Sequence, residues 1–345
     1  MIDPERSAAL RLRVMVFGHR VLIPRRGAFR PKGIQKGIGT MSDLEDRCRR
    51  LLDELGLASP HEPLSVEPLS GGVASDIALV RIADRKICVK FALAKLKTAV
   101  DWFAPIHRNA AEYAWLRVAA EIAPENALCL YGRSDRSHGF AMEFLQGEDI
   151  YLWKAALLSE APDRGVAARV GALLGRIHAV SAAPDFDRSP FANQDDFHAL
   201  RVEPYLIHTA REHADLRCHF ERLVDDLHRA DRALVHGDAS PKNIIVRKGA
   251  PIILDAECAT MGDASFDPAF CLNHLALKAI HLPNSRARYL GHAGRLWQAY
   301  AERIVWESQS EVEERICRLL PALMLARIDG KSPVEYLNEC ERQSV

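Results

Sequence analysis

Short apolar runs broken by turn residues fill residues 64–145, whereas apolar positions further on recur mostly at helical spacing. The chain therefore reads as a strand-rich part followed by a helix-rich one. Ahead of both, Leu44, Cys48, Leu51, Leu52 and Leu55 repeat at helical intervals until Gly56, which predicts an amphipathic helix opened by the capping box Ser42-Asp43-Leu44-Glu45. Strands are predicted at 64–69, 77–81 and 86–91, with a flexible turn at 70–75, and a strand pair at 127–131 and 139–145. Residues 109–117 form the one strongly helical stretch between them. Beyond Gly147, Val166, Val170, Leu173, Leu174 and Ile177 make an apolar helix stripe ending near His178, and 195–219, rich in His, Arg and aromatics, is predicted as helix surface bordering a cleft. The runs 244–246 and 252–254 flank a charged, Gly-containing turn and predict a hairpin. A last helix is predicted from Ser332-Pro333-Val334-Glu335, a capping box with Pro at the first helical position.

A chain of 345 residues can build two lobes around a large core. Its 46 basic and 46 acidic residues cancel, so global charge points to neither nucleic acid nor an anionic membrane as partner. No apolar run approaches the ~20 residues of a membrane span. The eight cysteines are scattered without zinc-ligand spacing and read as core thiols of a reducing compartment, so a soluble cytoplasmic protein is expected.

The first forty residues differ, with nine basic residues against Asp3 and Glu5, a net +7. Such a start can be a targeting peptide or basic arm, a disordered tail, or an upstream extension of a frame that begins at Met41. The abrupt onset of folded pattern at Met41 favours the last two. Deleting residues 1–40 is expected to leave turnover unchanged, checked by comparing kcat of the two chains; a soluble but inactive truncation would refute this.

Chemistry concentrates between His236 and Asp255. Asp238 and Asn243 precede the predicted hairpin and Asp255 follows it, so three oxygen-bearing side chains converge at one end of a small sheet. Oxygen ligands of this kind suit a hard cation such as Mg²⁺. His-Gly-Asp, four residues, Asn, a hairpin and Asp255-Ala256-Glu257, taken in order, resemble the aminoglycoside phosphotransferase family and its relatives, the choline and methylthioribose kinases. The run Gly262-Asp263-Ala264-Ser265-Phe266-Asp267 resembles a further family motif, with Ala264 where Pro is usual.

The resemblance implies an α+β, bilobal protein kinase-like fold, with a five-stranded antiparallel sheet plus helix at 41–145 and a mostly helical catalytic and substrate lobe at 146–345. It implies transfer of the γ-phosphate of ATP, with Mg²⁺, to a small-molecule hydroxyl. Asp238 would take the hydroxyl proton, while Asn243 and Asp255 hold the metal. Lys90, on the third strand, would reach the α and β phosphates and pair with Glu112, or with Glu121 near the helix end. The turn with Ser70, Gly71, Gly72 and Ser75 would cover the phosphates, since glycines let backbone N–H groups approach them. Backbone groups of Glu143 and Leu145, before Gln146-Gly147, would meet the adenine edge at an interlobe hinge. His236 is read as a brace for the loop backbone, and Asp267 as a structural brace of the metal loop. Glu257 reads either as a metal or substrate contact or as a solvated charge.

Gly237 stands where many protein kinases carry an Arg, and the Phe of Asp-Phe-Gly and the Ala-Pro-Glu are missing, which favours a small acceptor over a phosphorylated activation loop. From Asp255 onward thirteen acidic residues face ten basic ones, too even a balance to favour a polycationic aminoglycoside. Sugars, amino alcohols and nucleoside-derived sugars stay open, and Trp153, Tyr205, Trp297, Tyr300 and Trp306 read either as a cation–π pocket or as core. The rival class is a catalytically silent nucleotide-binding scaffold.

Overall fold

In the computed structural model, which describes residues 41–69, 74–97 and 102–345, the first five strands form one antiparallel sheet in the order β1-β2-β3-β5-β4. They are β1 (Leu64–Pro68), β2 (Ser75–Ile82), β3 (Arg85–Ala92), β4 (Leu130–Ser134) and β5 (Gly139–Glu143). The period-two alternation of β3 assigns its side chains to two faces. Ile87, Val89 and Phe91 pack with Ala78, Val80 and Ile82 against Cys48, Leu51 and Leu52 of the helix Met41–Glu54. Cys88 turns the other way, into a second apolar cluster with Trp115, Phe140 and Met142, and Lys90 shares that face. The helix Asn109–Ile122 covers it.

The second cluster continues unbroken into the helical half through Trp153, Leu173, Ile244, Phe266 and Leu323, so the face that carries Lys90 looks toward the rest of the chain. There β6 (Ile150–Leu152), β8 (Ile244–Arg247) and β9 (Ala250–Ile253) form a small sheet, and β7 (Ala233–Val235) pairs with β10 (Thr260–Gly262). The β8–β9 hairpin closes on Lys248 and Gly249, both with positive φ (50° and 85°), as a two-residue turn of the primed type requires. Around these sheets lie the helices Val166–Ser181, Phe266–His281, Arg286–Ala301 and Gln309–Asp329. Gly171 lets the first and third close on each other, since a Cβ there would sit 2.0 Å from the Leu296 carbonyl oxygen. Among the described residues no helix is long and apolar enough to cross a membrane.

Three expectations need correction. The predicted helix from Ser332 is absent: the Arg327 guanidinium takes the Ser332 carbonyl and, at 3.0 Å, its hydroxyl, so the capping oxygen is committed elsewhere. A short helix forms later, at Glu339–Arg342, with Asn338 and Glu341 as its capping box. Of the segment predicted as helix surface, residues 211–219 are mostly exposed but 196–210 are mostly buried, and His198–Ile207 wind as a π-helix containing Pro204, a geometry frequent at functional sites. Finally, the cysteines are free thiols but not all core: Cys129, Cys218 and Cys340 are exposed. The basic segment 1–40 and the Ser42 side chain of the first capping box lie outside the described residues.

Candidate active site

The buried strand β7 delivers the chain to His236, and the next turn depends on Gly237, whose φ of 78° suits glycine and whose missing Cβ would lie 2.7 Å from the Cys258 sulfur. Asp267, in the first turn of the helix Phe266–His281, accepts the backbone N–H of His236 at 2.7 Å and of Gly237 at 2.8 Å, with His178 at 3.2 Å. Asp267 thus braces the loop that carries Asp238, rather than the loop of Asp255. The His236 imidazole accepts the Asp238 N–H at Nδ1 (3.0 Å), so Nε2 holds the proton and donates to the Leu254 carbonyl at 3.1 Å. Burial lowers the pKa of His236, which keeps the ring neutral in this bracing role.

These contacts fix the Asp238 carboxylate. Its Oδ2 meets the Arg201 guanidinium at 2.9 Å and the Lys242 ammonium at 3.2 Å. Its Oδ1 is buried and has no hydrogen-bond partner. Burial opposes ionisation, but Lys242 and Arg201 outweigh it and hold the carboxyl below its usual range, so an anionic oxygen stands ready as an acceptor. Arg201, from the π-helical segment, also donates to the Gly237 carbonyl and is the main site residue that sequence reasoning missed. Its one signal was the Arg-, His- and aromatic-rich composition of 195–219.

The second cluster surrounds Lys90. Its ammonium donates to Glu112 at 2.8 Å and to Asp255, with Glu257 at 3.3 Å. Glu257 is no solvated charge: buried, it takes the Ser75 hydroxyl and the Arg108 guanidinium (2.8 Å). Arg108 continues to the carbonyls of Ala74 and Leu93, the latter at 2.8 Å, and so anchors the chain at the entry to β2 and the exit of β3. Ser75 opens β2 instead of lying in that turn, and its hydroxyl is committed to Glu257. Burial disfavours the charge of Lys90, yet Asp255, Glu112 and Glu257 raise its pKa well above the usual value. Burial lifts the Glu112 carboxyl to about 8 against the pull of Lys90, while Lys90 and Lys242 override burial to hold Asp255 ionised. Asp255 adopts φ 72°, a left-handed conformation uncommon outside glycine that aims its side chain at this cluster.

The remaining candidates are spread around these two clusters. Asn243 spends its amide nitrogen on the Asp238 carbonyl at 3.1 Å, and among the described residues its side-chain oxygen and one Asp255 oxygen carry no ion pair or hydrogen bond. This hard-oxygen set fits Mg²⁺. Glu112, Asp255 and Glu257 also present oxygens within 4.8 Å of one another, but the Lys90 ammonium lies among them. At the exit of β5, Glu143 binds Arg247 at 2.9 Å and its N–H goes to the Cys129 carbonyl at 2.8 Å. Leu145 follows, partly buried. Glu121 faces Arg117 on the exposed side of its helix, away from Lys90. Ser70, Gly71 and Gly72 lie outside the described residues.

Replacing Lys90 by Met removes the ammonium that Glu112, Asp255 and Glu257 share. Nucleotide turnover is expected to fall on the order of 10²-fold in kcat/KM for ATP, read from ATP saturation curves; an unchanged value would remove Lys90 from the site.

Comparison with known proteins follows the same line. The sequence model of the phosphotransferase enzyme family matches residues 65–303. An amicoumacin kinase solved with AMP-PNP and Ca²⁺ is similar in fold, with a TM-score of 0.53 at 13% identity over 88% of this chain and 92% of that one. A Plasmodium vivax ethanolamine kinase gives 0.51 at 14% identity over 84% and 82% of the two chains. No curated protein matches the chain.

Proposed function

From the premise that the chain belongs to the phosphotransferase enzyme family, we propose that it is an ATP- and Mg²⁺-dependent kinase acting on the hydroxyl of a small molecule. The observation that carries this reading is the Asp238 carboxylate, ionised and buried, with one oxygen held by Arg201 and Lys242 and the other unpartnered. An acceptor hydroxyl placed on Oδ1 gives its proton to Asp238 as its oxygen forms a bond to the γ-phosphorus. The bond from that phosphorus to the β,γ-bridging oxygen breaks at the same time, and ADP leaves with the electron pair.

Asn243 and Asp255 hold Mg²⁺, which when bound neutralises charge on the phosphates. Lys90, steadied by Glu112, binds the α and β phosphates, and residues 70–74 cover them, with Ser75 and Arg108 fastening that turn to Glu257. The Glu143 carbonyl and the Leu145 backbone meet the adenine edge. Residues 41–145 thus supply the nucleotide half and 146–345 the acceptor half. ADP release from Mg²⁺-ATP across a panel of alcohols and sugars tests the reading; hydrolysis to free phosphate, with none on an acceptor, would contradict it.

Arg201 acts here as a positioning residue. Arg201→Met removes one of the two cations that depress the Asp238 pKa, so the acid limb of the kcat/KM profile is expected to move to higher pH. Arg201→Lys should restore part of the shift. An unmoved limb with lowered kcat would reduce Arg201 to a structural support.

A further inference from the structure

Beyond Asp238 lie two buried cations, Lys278 and Arg327, that are in ion-pair contact with no carboxylate among the described residues. Along the helix Phe266–His281, Phe266, Phe270, His274 and Lys278 recur every fourth residue on one face, with ring centroids 5.5 Å apart for the first pair and 5.7 Å for the second. The stripe starts beside the catalytic carboxylate, because the Arg201 guanidinium that holds Asp238 lies 6.0 Å from the Phe270 ring. It ends on Lys278, which is 1% exposed. The only polar contact of that ammonium among the described residues is the His274 carbonyl, at 3.5 Å; its other neighbour is the Tyr336 ring at 4.9 Å.

Among the described residues Arg327, 7% exposed, hydrogen-bonds only to neutral groups, the Tyr205 hydroxyl at 3.2 Å, the Ser332 hydroxyl at 3.0 Å and the Ser332 carbonyl, and the Glu335 carboxylate acts on it only through its field. Its Nε and the Tyr336 hydroxyl are buried with no hydrogen-bond partner. Lys154, paired with Glu335, and Lys242, paired with Asp238, complete the surroundings of His274. Burial and the field of Arg327, Lys278, Lys242 and Lys154 push the His274 pKa well down, and burial with Lys154 pushes Lys278 down to about 7. Of these four cations, Lys154 and Lys242 have a carboxylate in ion-pair contact, whereas Lys278 and Arg327 meet the Glu335 carboxylate only through its field.

Burying a cation without an anion is costly, so such a group either sheds its proton, as the lowered Lys278 pKa allows, or takes a counter-charge from a ligand. The aromatic faces that could receive a cationic acceptor are already taken from within: Arg201 and Arg327 on Tyr205, Arg201 on Phe270, Lys278 on Tyr336. The other candidate aromatics serve packing instead. Trp153, Trp297 and Tyr300 are buried, and the Tyr300 hydroxyl donates to the Ala264 carbonyl.

We propose that the phosphoryl acceptor is an alcohol bearing an anionic group, a carboxylate or a phosphate, which Lys278, Arg327 and the Tyr336 hydroxyl receive while the alcohol meets Asp238. This rests on the kinase reading above and narrows it, against amino alcohols and aminoglycosides. Four three-carbon probes differing in one substituent test it: glycerate, glycerol 3-phosphate, glycerol and 3-amino-1,2-propanediol. Binding to the full chain is measured by calorimetry with MgADP present, and turnover by ADP release from MgATP.

The expected result is that one or both anionic probes bind and turn over at least tenfold better than glycerol and the amine, with the carboxylate and phosphate arms showing which anion fits. In Lys278→Met the preference for the anion over glycerol should fall on the order of tenfold or more, as for loss of a charge-assisted hydrogen bond. That variant should melt no lower than the parent, because an unpaired buried cation has become a neutral chain of similar length. Equal or better use of glycerol or the amine, or an anion preference untouched by Lys278→Met, overturns the inference and leaves the kinase reading standing. Lys278-dependent anion binding without any ADP supports the pocket and counts against phosphoryl transfer. No binding of any probe overturns it.

Discussion

Asp238→Asn is expected to lower kcat by on the order of 10²- to 10⁴-fold while MgADP still binds. The substitution keeps the shape of the side chain, so Arg201 and Lys242 still have an oxygen to contact, but an amide cannot take the acceptor proton. The nucleotide contacts proposed for Lys90 are fixed by Glu112, Asp255 and Glu257, none of which touches Asp238, and should survive. Single-turnover ADP formation and calorimetric MgADP binding separate the two effects. Turnover close to that of the parent would exclude Asp238 as the base, and loss of nucleotide binding with retained fold would mean that the two clusters are one unit.

Asp267→Ala should produce the largest loss of stability. The carboxylate is fully buried, takes two backbone N–H groups of the catalytic loop and faces His178. Removing it strands two donors and opens a polar void, and breaking a buried charged network of this kind costs about 3–5 kcal/mol. Urea denaturation should show the midpoint falling at unchanged slope. Burial opposes the charge of Asp267, but the hydrogen bond and charge of His178, with His236, win and depress its pKa in the folded chain. A depressed carboxyl stabilises the fold above its unfolded value, near 4, and that contribution disappears as pH falls through the lower folded value. The parent should therefore lose stability on acidification more steeply than the Ala variant. Equal acid slopes would show that Asp267 is not the titrating brace.

Much of the site could be read along the chain because its parts are local patterns. The alternation of β3 put Lys90 opposite the Ile87, Val89 and Phe91 face before any coordinates were considered, and the hairpin placed Asn243 and Asp255 at adjoining ends of two strands. The helix near 109–122 likewise announced Glu112 as the partner most accessible to Lys90. The failures came where a distant group competes for an atom. Ser332 carries every local mark of a helix cap, yet Arg327 claims its oxygens, and Ser75 looks like a turn residue until Glu257, 182 positions away, takes its hydroxyl.

Sequence by itself determined the order of most strands and helices, the candidates for oxygen ligands and base, and the family to which the chain belongs. Tertiary structure alone decided which charges meet: Arg201 on Asp238, Arg108 on Glu257, and Lys278 with Arg327 in ion-pair contact with no carboxylate among the described residues. Periodicity and spacing are properties of neighbouring residues and survive without a fold. The sign of the field in a cleft is a sum over groups brought within a few ångströms from remote parts of the chain, and no count of acidic against basic residues along the sequence contains it.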